Sequence, residues 1–138
     1  EEVLVEKDYL EKKDEVALVR KPPMKFQEML KYKYVLCIEG ADIATGFGAV
    51  LASNSIPVHP YPFCFNSWYF NGLEPWEHFV PINGEGTDVA DVYDYCERNP
   101  TLMADIAANG RAHMQRMLDK SALQDVKKGV LKLWNMKN

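Results

Sequence analysis

The sequence predicts an α/β fold: a Rossmann-like unit with a short parallel sheet, flanking helices and a helical C-terminal tail. An apolar run at residues 34–38 stops at Glu39 and Gly40, which is typical of a buried strand that ends in a tight turn. Small and apolar residues with helical spacing follow that turn. Because short strands come first and consecutive helices come later, the order of elements predicts half of a Rossmann-like domain.

Two segments are expected along the chain. Residues 1–23 are predicted to be a charged N-terminal extension, in which residues 15–20 could form a short strand, and residues 24–138 are predicted to be the Rossmann-like domain. Pro22 and Pro23 separate the two segments, since proline lacks a backbone donor and restricts its predecessor to extended conformations. Residues 24–31 are expected to resume as a short helix.

Turns and short strands follow the first strand and its helix. Residues 56–58 predict a second strand parallel to the first, and residues 78–82 predict a third. We expect the proline-rich stretch from Pro60 to Pro62 to be an extended loop that cannot join a central ladder. Thr87 is the expected N-cap of a helix at residues 88–98. Two further helices are expected, at residues 102–118 and 121–136.

The charge distribution argues against a nucleic-acid partner. No Lys or Arg occurs between Lys33 and Arg98, a window that contains nine carboxylates. Such a window offers no footprint for a phosphate backbone. The three cysteines predict neither a disulfide framework nor a zinc site. No apolar run reaches the ~18 residues that a membrane-spanning helix requires.

Five short blocks of sequence, in a fixed order, carry a resemblance to a known family. They are KYKYVLCIEG, DIAT, LASNS, SWYFNGLEPWEHFVPI and DIAANGRA. Together they resemble glycosyltransferase family 90, which includes bacterial lipopolysaccharide-modifying sugar transferases and protein O-glucosyltransferases of animals. The similarity covers about residues 28–118. It implies the C-terminal, donor-binding half of a two-domain GT-B fold, whose other half largely supplies the acceptor site and the catalytic base.

The resemblance implies a nucleotide-sugar donor such as a UDP-sugar, no metal, and no catalytic residue in this half. The loop at residues 40–46 would approach the diphosphate, residues 53–55 would close the far end of the following helix, and residues 66–68 would lie near the sugar or ribose. The candidate donor-binding residues are therefore Gly40, Asp42, Thr45, Gly46, Ser53, Ser55, Asn66, Ser67 and Trp68.

The chain departs from the family pattern at this donor site. Family members usually carry an Arg or Lys in the first turns of the helix after the glycine, where this chain has Thr-Gly-Phe-Gly at residues 45–48. Many members have Glu where Asn66 or Ser67 stands, and bacterial members often have a second Glu where Asn71 stands. The absent cation and carboxylates predict that donor binding is weakened or lost.

The candidate residues also have ordinary structural explanations. Asp42 could cap the helix by accepting the N–H of Ala44 or Thr45, which is worth ~1 kcal/mol, instead of marking a phosphate site. Gly46 and Gly48 each weaken a helix by roughly 1 kcal/mol. Either close helix-to-sheet packing or a ligand that approaches the backbone would explain them.

Two histidines and a group of aromatic residues have two interpretations as well. His59 is expected in a loop and His78 in a structural role, although either could act as a general base. The aromatic residues could stack on a sugar or a base, or they could form a core or a face that another domain or subunit covers. This aromatic face comprises Phe63, Phe65, Trp68, Tyr69, Phe70 and Trp76.

Three functions are compatible with the sequence. The first is a non-catalytic structural or interaction module, whose aromatic face is covered by another protein chain or by a missing N-terminal domain. The second is the donor-binding half of an active transferase that moves a sugar to a glycan or protein hydroxyl. The third is a nucleotide- or sugar-binding module without transfer. The cation-free window favours the first.

Overall fold

A parallel sheet of three short strands lies at the centre of the computed structural model, which describes residues 22–135. Strand β1 spans Tyr34–Leu36, β2 spans Ile56–Pro60 and β3 spans Val80–Ile82, in the spatial order β1-β2-β3. Both pairs are parallel, which confirms the predicted α/β fold with a short parallel sheet. The strand considered at residues 15–20 lies outside the described residues.

Five helices accompany the sheet within residues 22–135. They are α1 (Phe26–Met29), α2 (Phe47–Leu51), α3 (Val89–Arg98), α4 (Pro100–Met117) and α5 (Lys120–Asn135), and a 3-10 turn spans Trp68–Phe70. Helices α4 and α5 confirm the predicted helical C-terminal tail. Helix α4 starts earlier than expected because Pro100 occupies its first turn, where the missing N–H has no partner to lose. In this part of the chain, no helix combines the length and apolar character needed to cross a membrane.

Strand β2 contains two prolines, although we expected it to end at Val58. The backbone N–H of Ile56 donates to the oxygen of Lys33, directly before β1, at 2.7 Å, and that of Tyr61 donates to the oxygen of Ile82 in β3 at 2.9 Å. The backbone N–H groups of even-numbered residues of β2 therefore point towards β1, and those of odd-numbered residues point towards β3. Pro57 lacks its donor on the β3 side before that pairing begins, and Pro60 lacks its donor on the β1 side after that pairing has ended. The central strand tolerates both because neither removes a ladder hydrogen bond.

The sheet separates two buried clusters. On one face, Val35 of β1 and Cys37 directly after it pack with α2, where Phe47 is fully buried. On the other face, Ile56 packs with α3 and α4, where Ile106 is fully buried. Apolar packing on both faces is what a parallel sheet requires, since neither face of such a sheet is usually left to solvent.

Helix α4 approaches α2 and the turn before β3 through a glycine. A Cβ on Gly110 would lie 3.1 Å from the backbone oxygen of His78 and 3.1 Å from a side-chain carbon of Leu51. Three residues later, the imidazole of His113 hydrogen-bonds the backbone oxygen of Tyr69 at 2.7 Å. These contacts fix the turn before β3 and the 3-10 turn, and the 3-10 turn borders the groove in the loop after β2.

Candidate functional site

The loops that follow the three strands meet at the carboxyl edge of the sheet. Residues 37–46 follow β1, residues 61–67 follow β2 and residues 83–88 follow β3. Open parallel sheets bind their ligands at this edge, in the crevice that such loops form. The edge is therefore the candidate functional site.

Glu39 joins the first two of these loops. Its carboxylate accepts the backbone N–H of Cys64 at 2.9 Å and that of Phe65 at 3.2 Å. Two neighbouring N–H groups that converge in this way could bind an anion, and here an internal carboxylate occupies them. Sequence reasoning missed this role, for which the signal is a charged residue directly after a buried strand.

The loop after β1 does not form the expected helix cap. The carboxylate of Asp42 accepts the N–H of Ile43 at 2.7 Å and not that of Ala44 or Thr45, so the capping interpretation is wrong. Helix α2 begins only at Phe47, and no side chain caps it. The chain makes a local turn around Asp42 and reaches the helix too late for a cap. Asp42 and Thr45 both remain exposed at the edge.

The glycines of this region differ in their surroundings. A Cβ on Gly48 would lie 3.2 Å from the ring of Tyr69, and one on Gly46 would lie 3.4 Å from the ring of Phe26. Packing therefore accounts for Gly48, although the neighbour is an aromatic ring and not the sheet. Gly40, in contrast, has nothing within 4 Å of the Cβ position, so its backbone is open to approach.

Ser53 and Ser55 lie at the opposite, amino edge of the sheet. Ser53 Oγ donates to the backbone oxygen of Val50 at 2.7 Å, and the buried Ser55 Oγ donates to that of Tyr32 at 2.8 Å. Both hydroxyls hold the chain where it enters β2. The fold does not bring them together with Gly40, and their participation in donor binding stays a prediction.

Asn66, Ser67 and Trp68 line an open groove in the loop after β2. The groove has a volume of about 880 Å³ and is formed by residues between 61 and 73. Trp68 is 56% exposed. Because Phe65 is hydrogen-bonded to Glu39, the groove adjoins the loop at residues 40–46. These two groups of candidate residues therefore belong to loops that Glu39 joins at the carboxyl edge.

His59 is buried and not in a loop, contrary to expectation. It lies in β2 with no exposed surface, and its ring stands 4.6 Å from that of Phe47 and 5.0 Å from that of Phe63. Its Nδ1 donates to the backbone oxygen of Pro60 at 2.6 Å, and its Nε2 has no partner among the described residues. Burial lowers the pKa of His59, which favours the neutral ring.

His78 has a structural role, as expected. Its Nδ1 accepts the backbone N–H of Glu74 at 3.0 Å, which closes the turn before β3. Its ring packs edge-on against that of His113 at 5.3 Å, and burial lowers its pKa. Neither the burial nor the hydrogen bond leaves His78 available for acid–base work at the carboxyl edge.

The residues grouped as the aromatic face do not form one surface. Tyr69 and Phe70 are buried in the core, and Phe63 packs on Phe70 at a ring distance of 4.5 Å. Trp68 remains exposed beside the groove. Trp76 packs instead with the cluster on the other face of the sheet. Core packing therefore accounts for several members of the group, and stacking on a ligand or cover by another domain stays a prediction for Trp68.

The carboxyl edge is rich in negative charge. Glu39, Asp42, Glu85 and Asp88 lie in its three loops, and the sequence has no Lys or Arg at residues 34–97. Within the described range, no group of three or more His, Cys, Asp or Glu side chains could hold a metal ion. The edge therefore presents carboxylates without a cation from the same segment.

The loop after β3 is closed by its own polar residues. Asp88, and not Thr87, is the N-cap residue of α3, and its carboxylate accepts the N–H of Asn83 at 3.0 Å. The backbone N–H of Thr87 donates to the side-chain oxygen of Asn83 at 3.1 Å. The expected cap is displaced by one residue because Thr87 is used to close this loop.

The sequence of the chain matches a known family. The family model for glycosyl transferase family 90 matches residues 4–134. The chain belongs to glycosyl transferase family 90. This match confirms the resemblance carried by the five sequence blocks. The short parallel sheet of this family 90 chain is consistent with the Rossmann-like half that the resemblance implies.

The curated relatives of this family 90 chain are longer proteins. The O-glucosyltransferase LpsA of Dichelobacter nodosus is 30% identical over 94 residues, which cover 67% of this chain and 29% of that protein. Protein O-glucosyltransferase 3 of Homo sapiens is 25% identical over 100 residues, covering 72% and 20%. The uncharacterized protein 027R of Frog virus 3 is 29% identical over 92 residues, covering 64% and 10%. The chain thus spans less than a third of each of these relatives.

Proposed function

We propose that this family 90 chain is a non-catalytic structural or interaction module that keeps the fold of a donor-binding half but has lost sugar transfer. The observation that carries this proposal is the charge of the carboxyl edge. Four carboxylates lie in its loops, and residues 34–97 contain no Lys or Arg. A nucleotide-sugar donor would bring the negative charge of its diphosphate to this edge.

The electrostatic penalty for such a donor is large. Two like charges about 4 Å apart repel by ~4 kcal/mol at an effective dielectric constant of about 20, which corresponds to roughly a thousandfold loss of affinity. Glu39 precedes the loop that would hold the diphosphate and Asp42 lies within it, and Thr45 supplies no charge to offset them. Helix α2 has only five residues and therefore a small dipole to attract an anion.

Glu39 removes the backbone groups that could compensate. The N–H groups of Cys64 and Phe65 are the kind of paired donors that bind phosphate, and both are hydrogen-bonded to the Glu39 carboxylate. A donor would have to displace this carboxylate before it could use them. The contacts of Glu39 therefore stabilise the fold at the place where a family 90 transferase would bind its donor.

A protein partner would act at the part of the aromatic face that stays exposed. Phe65 and Trp68 are 37% and 56% exposed beside the groove. Exposed aromatic side chains at the rim of a groove are typical of surfaces that another domain or chain covers. We propose such a covering chain or domain as the partner of this module.

Titration of the isolated chain with UDP-glucose, other UDP-sugars and GDP-sugars tests the proposal. Calorimetry and quenching of Trp68 fluorescence should both remain flat up to millimolar concentrations. Clear micromolar binding of any of these donors would overturn the proposal. Quenching by an oligosaccharide alone would instead favour a sugar-binding module without transfer.

The alternative is the donor-binding half of an active transferase that uses a nucleotide sugar and transfers the sugar to a glycan or protein hydroxyl. The names of the bacterial and human relatives as O-glucosyltransferases favour it. In that case the chain assembled with the N-terminal half of such a transferase should bind a UDP-sugar. Thr45→Arg should then strengthen binding, and Gly46→Leu should abolish it. If neither change alters donor binding in the assembled protein, the loop at residues 40–46 is not the donor site.

A further inference from the structure

A second groove lies on the face of the sheet that α3 and α4 cover. It has a volume of about 400 Å³ and is formed by Trp76, Asp91, Val92, Tyr95 and Leu102. We call it the Trp76 notch. It involves none of the candidate donor-binding residues, so the carboxyl-edge site does not account for it.

The aromatic walls of the Trp76 notch are held in place. Trp76 has a φ of 62°, a left-handed conformation that is uncommon for a bulky residue. Its N–H donates to the backbone oxygen of Phe79 at 2.9 Å, and Pro75 forms a bridge with the same residue. The ring of Trp76 meets that of Tyr95 at 5.2 Å and 75°. The two rings therefore hold each other in position before anything binds in the notch.

Among residues 22–135, Asp91 is the one charged side chain that lines the notch. Asp91 lies one helical turn before Tyr95 on α3, so both side chains point to the same side of the helix. Glu74 and Glu77 lie two residues before and one residue after Trp76 in sequence. The first cation that follows in the chain, Arg98, contacts the Asp94 carboxylate at 3.7 Å and does not line the notch.

We propose that the Trp76 notch binds an arginine side chain of a partner protein. A guanidinium group stacks on aromatic faces and pairs with a carboxylate, and this notch offers Trp76 and Tyr95 together with Asp91. The aliphatic part of an arginine would lie along Val92 and Leu102, which form the apolar floor. The proposal rests on the proposed function as an interaction module, and it names the chemistry that the partner must present.

Binding of short peptides, followed by NMR on the whole chain, tests this proposal. The probes are a blocked Gly-Arg-Gly tripeptide and the same tripeptide with citrulline, which has the shape of arginine without its charge. The arginine peptide should shift the Trp76 indole N–H and the Tyr95 amide, and citrulline should bind about fivefold more weakly. Asp91→Asn should weaken arginine binding about fivefold. Asp94→Asn makes the same charge change on the same helix outside the notch, and it should change binding less than twofold.

Three results would overturn the proposal. They are the absence of shifts at Trp76 and Tyr95, equal binding of the citrulline peptide, and equal effects of Asp91→Asn and Asp94→Asn. Tyr95→Leu keeps an apolar wall without the aromatic ring, and unchanged affinity in this variant would likewise refute the stacking argument. A parallel titration with UDP-glucose, read at Gly40 and Trp68, separates the two proposals. Binding of UDP-glucose at Gly40 and Trp68 would refute the proposed function only. Absence of arginine binding at the notch, with no binding of UDP-glucose, would refute this inference only.

Discussion

Replacing Glu39 with glutamine tests the internal anion contact at the carboxyl edge. The change keeps the size of the side chain and removes its charge. The carboxylate of Glu39 holds the N–H groups of Cys64 and Phe65 at 2.9 Å and 3.2 Å, whereas a carboxamide has one acceptor oxygen for the two donors. We therefore expect Glu39→Gln to weaken one of the two contacts and to loosen the loop after β2.

The magnitude follows from the kind of hydrogen bond that is lost. A hydrogen bond to a charged group contributes about 1.5–3 kcal/mol, and the lower end applies because Glu39 is half-buried. Local opening of the loop should therefore become easier by ~1–1.5 kcal/mol, or about tenfold in hydrogen exchange. Global stability should change less, since Cys64 and Phe65 are exposed and outside the core clusters.

Amide hydrogen exchange measured by NMR reads this loop directly. In Glu39→Gln the amides of Cys64 and Phe65 should exchange about ten times faster than in the wild type. Glu85→Gln makes the same charge change in the loop after β3 and should leave both amides unaltered. If the two variants protect Cys64 and Phe65 equally, Glu39 does not hold the loop and the argument for an occupied anion site fails.

Three other predictions concern thiol reactivity, packing and pH. The hydrogen bond and negative charge of Glu39 raise the pKa of the exposed Cys64 thiol. Glu39→Gln should therefore speed the alkylation of Cys64 by iodoacetamide near pH 8, and an unchanged rate would contradict this cause. Gly110→Ala should destabilise the fold by ~1–2 kcal/mol in urea unfolding, because the added methyl would stand 3.1 Å from a backbone oxygen. Gly129→Ala, with nothing within 4 Å of the added methyl, should stabilise the fold by up to ~1 kcal/mol, and a Gly110→Ala variant at least as stable as the wild type would refute the packing. Burial lowers the pKa of His59 in the folded protein, so the unfolded chain binds more protons as the pH falls below about 6.5, and the stability of the fold should decline there. Urea unfolding at pH 7.5 and pH 5 should show a smaller decline for His59→Leu than for the wild type, and an identical decline would count against this cause.

The fold could be predicted from the sequence because its signals are local. The apolar run before Glu39 and Gly40 formed β1, and the spacing of the later apolar residues formed α3, α4 and α5. The error at β2 arose because proline was judged by its presence alone. Whether Pro60 interrupts a ladder depends on which neighbour its missing N–H faces and on where that neighbour ends. This information belongs to the sheet and not to the strand.

The site could be predicted only in part. The loops at residues 40–46 and 66–68 meet because each follows the carboxyl end of a parallel strand, which the order of elements implies. The contact between Glu39 and Phe65 spans 26 positions in sequence and depends on the path of the loop after β2. Asp42 satisfied the nearest N–H before the helix began, and no sequence signal distinguishes this turn from a cap. His59 was predicted to lie in a loop because prolines stand near it. Since β2 includes Pro57 and Pro60, this is the same error that ended the predicted strand at Val58.

Positive charge is present near β1 in sequence, but the fold directs it away from the carboxyl edge. Lys33 precedes β1, and its ammonium pairs with the Glu97 carboxylate at 2.6 Å, at the amino end of the strand. Arg111 donates to the side-chain oxygen of Asn54, which lies between the two serines of the amino edge. Both cations therefore stabilise the edge opposite the groove. The negative charge of the carboxyl edge thus has two causes, the composition of residues 34–97 and the placement of nearby cations at the opposite edge. Both causes favour a module that binds a protein over one that binds a diphosphate.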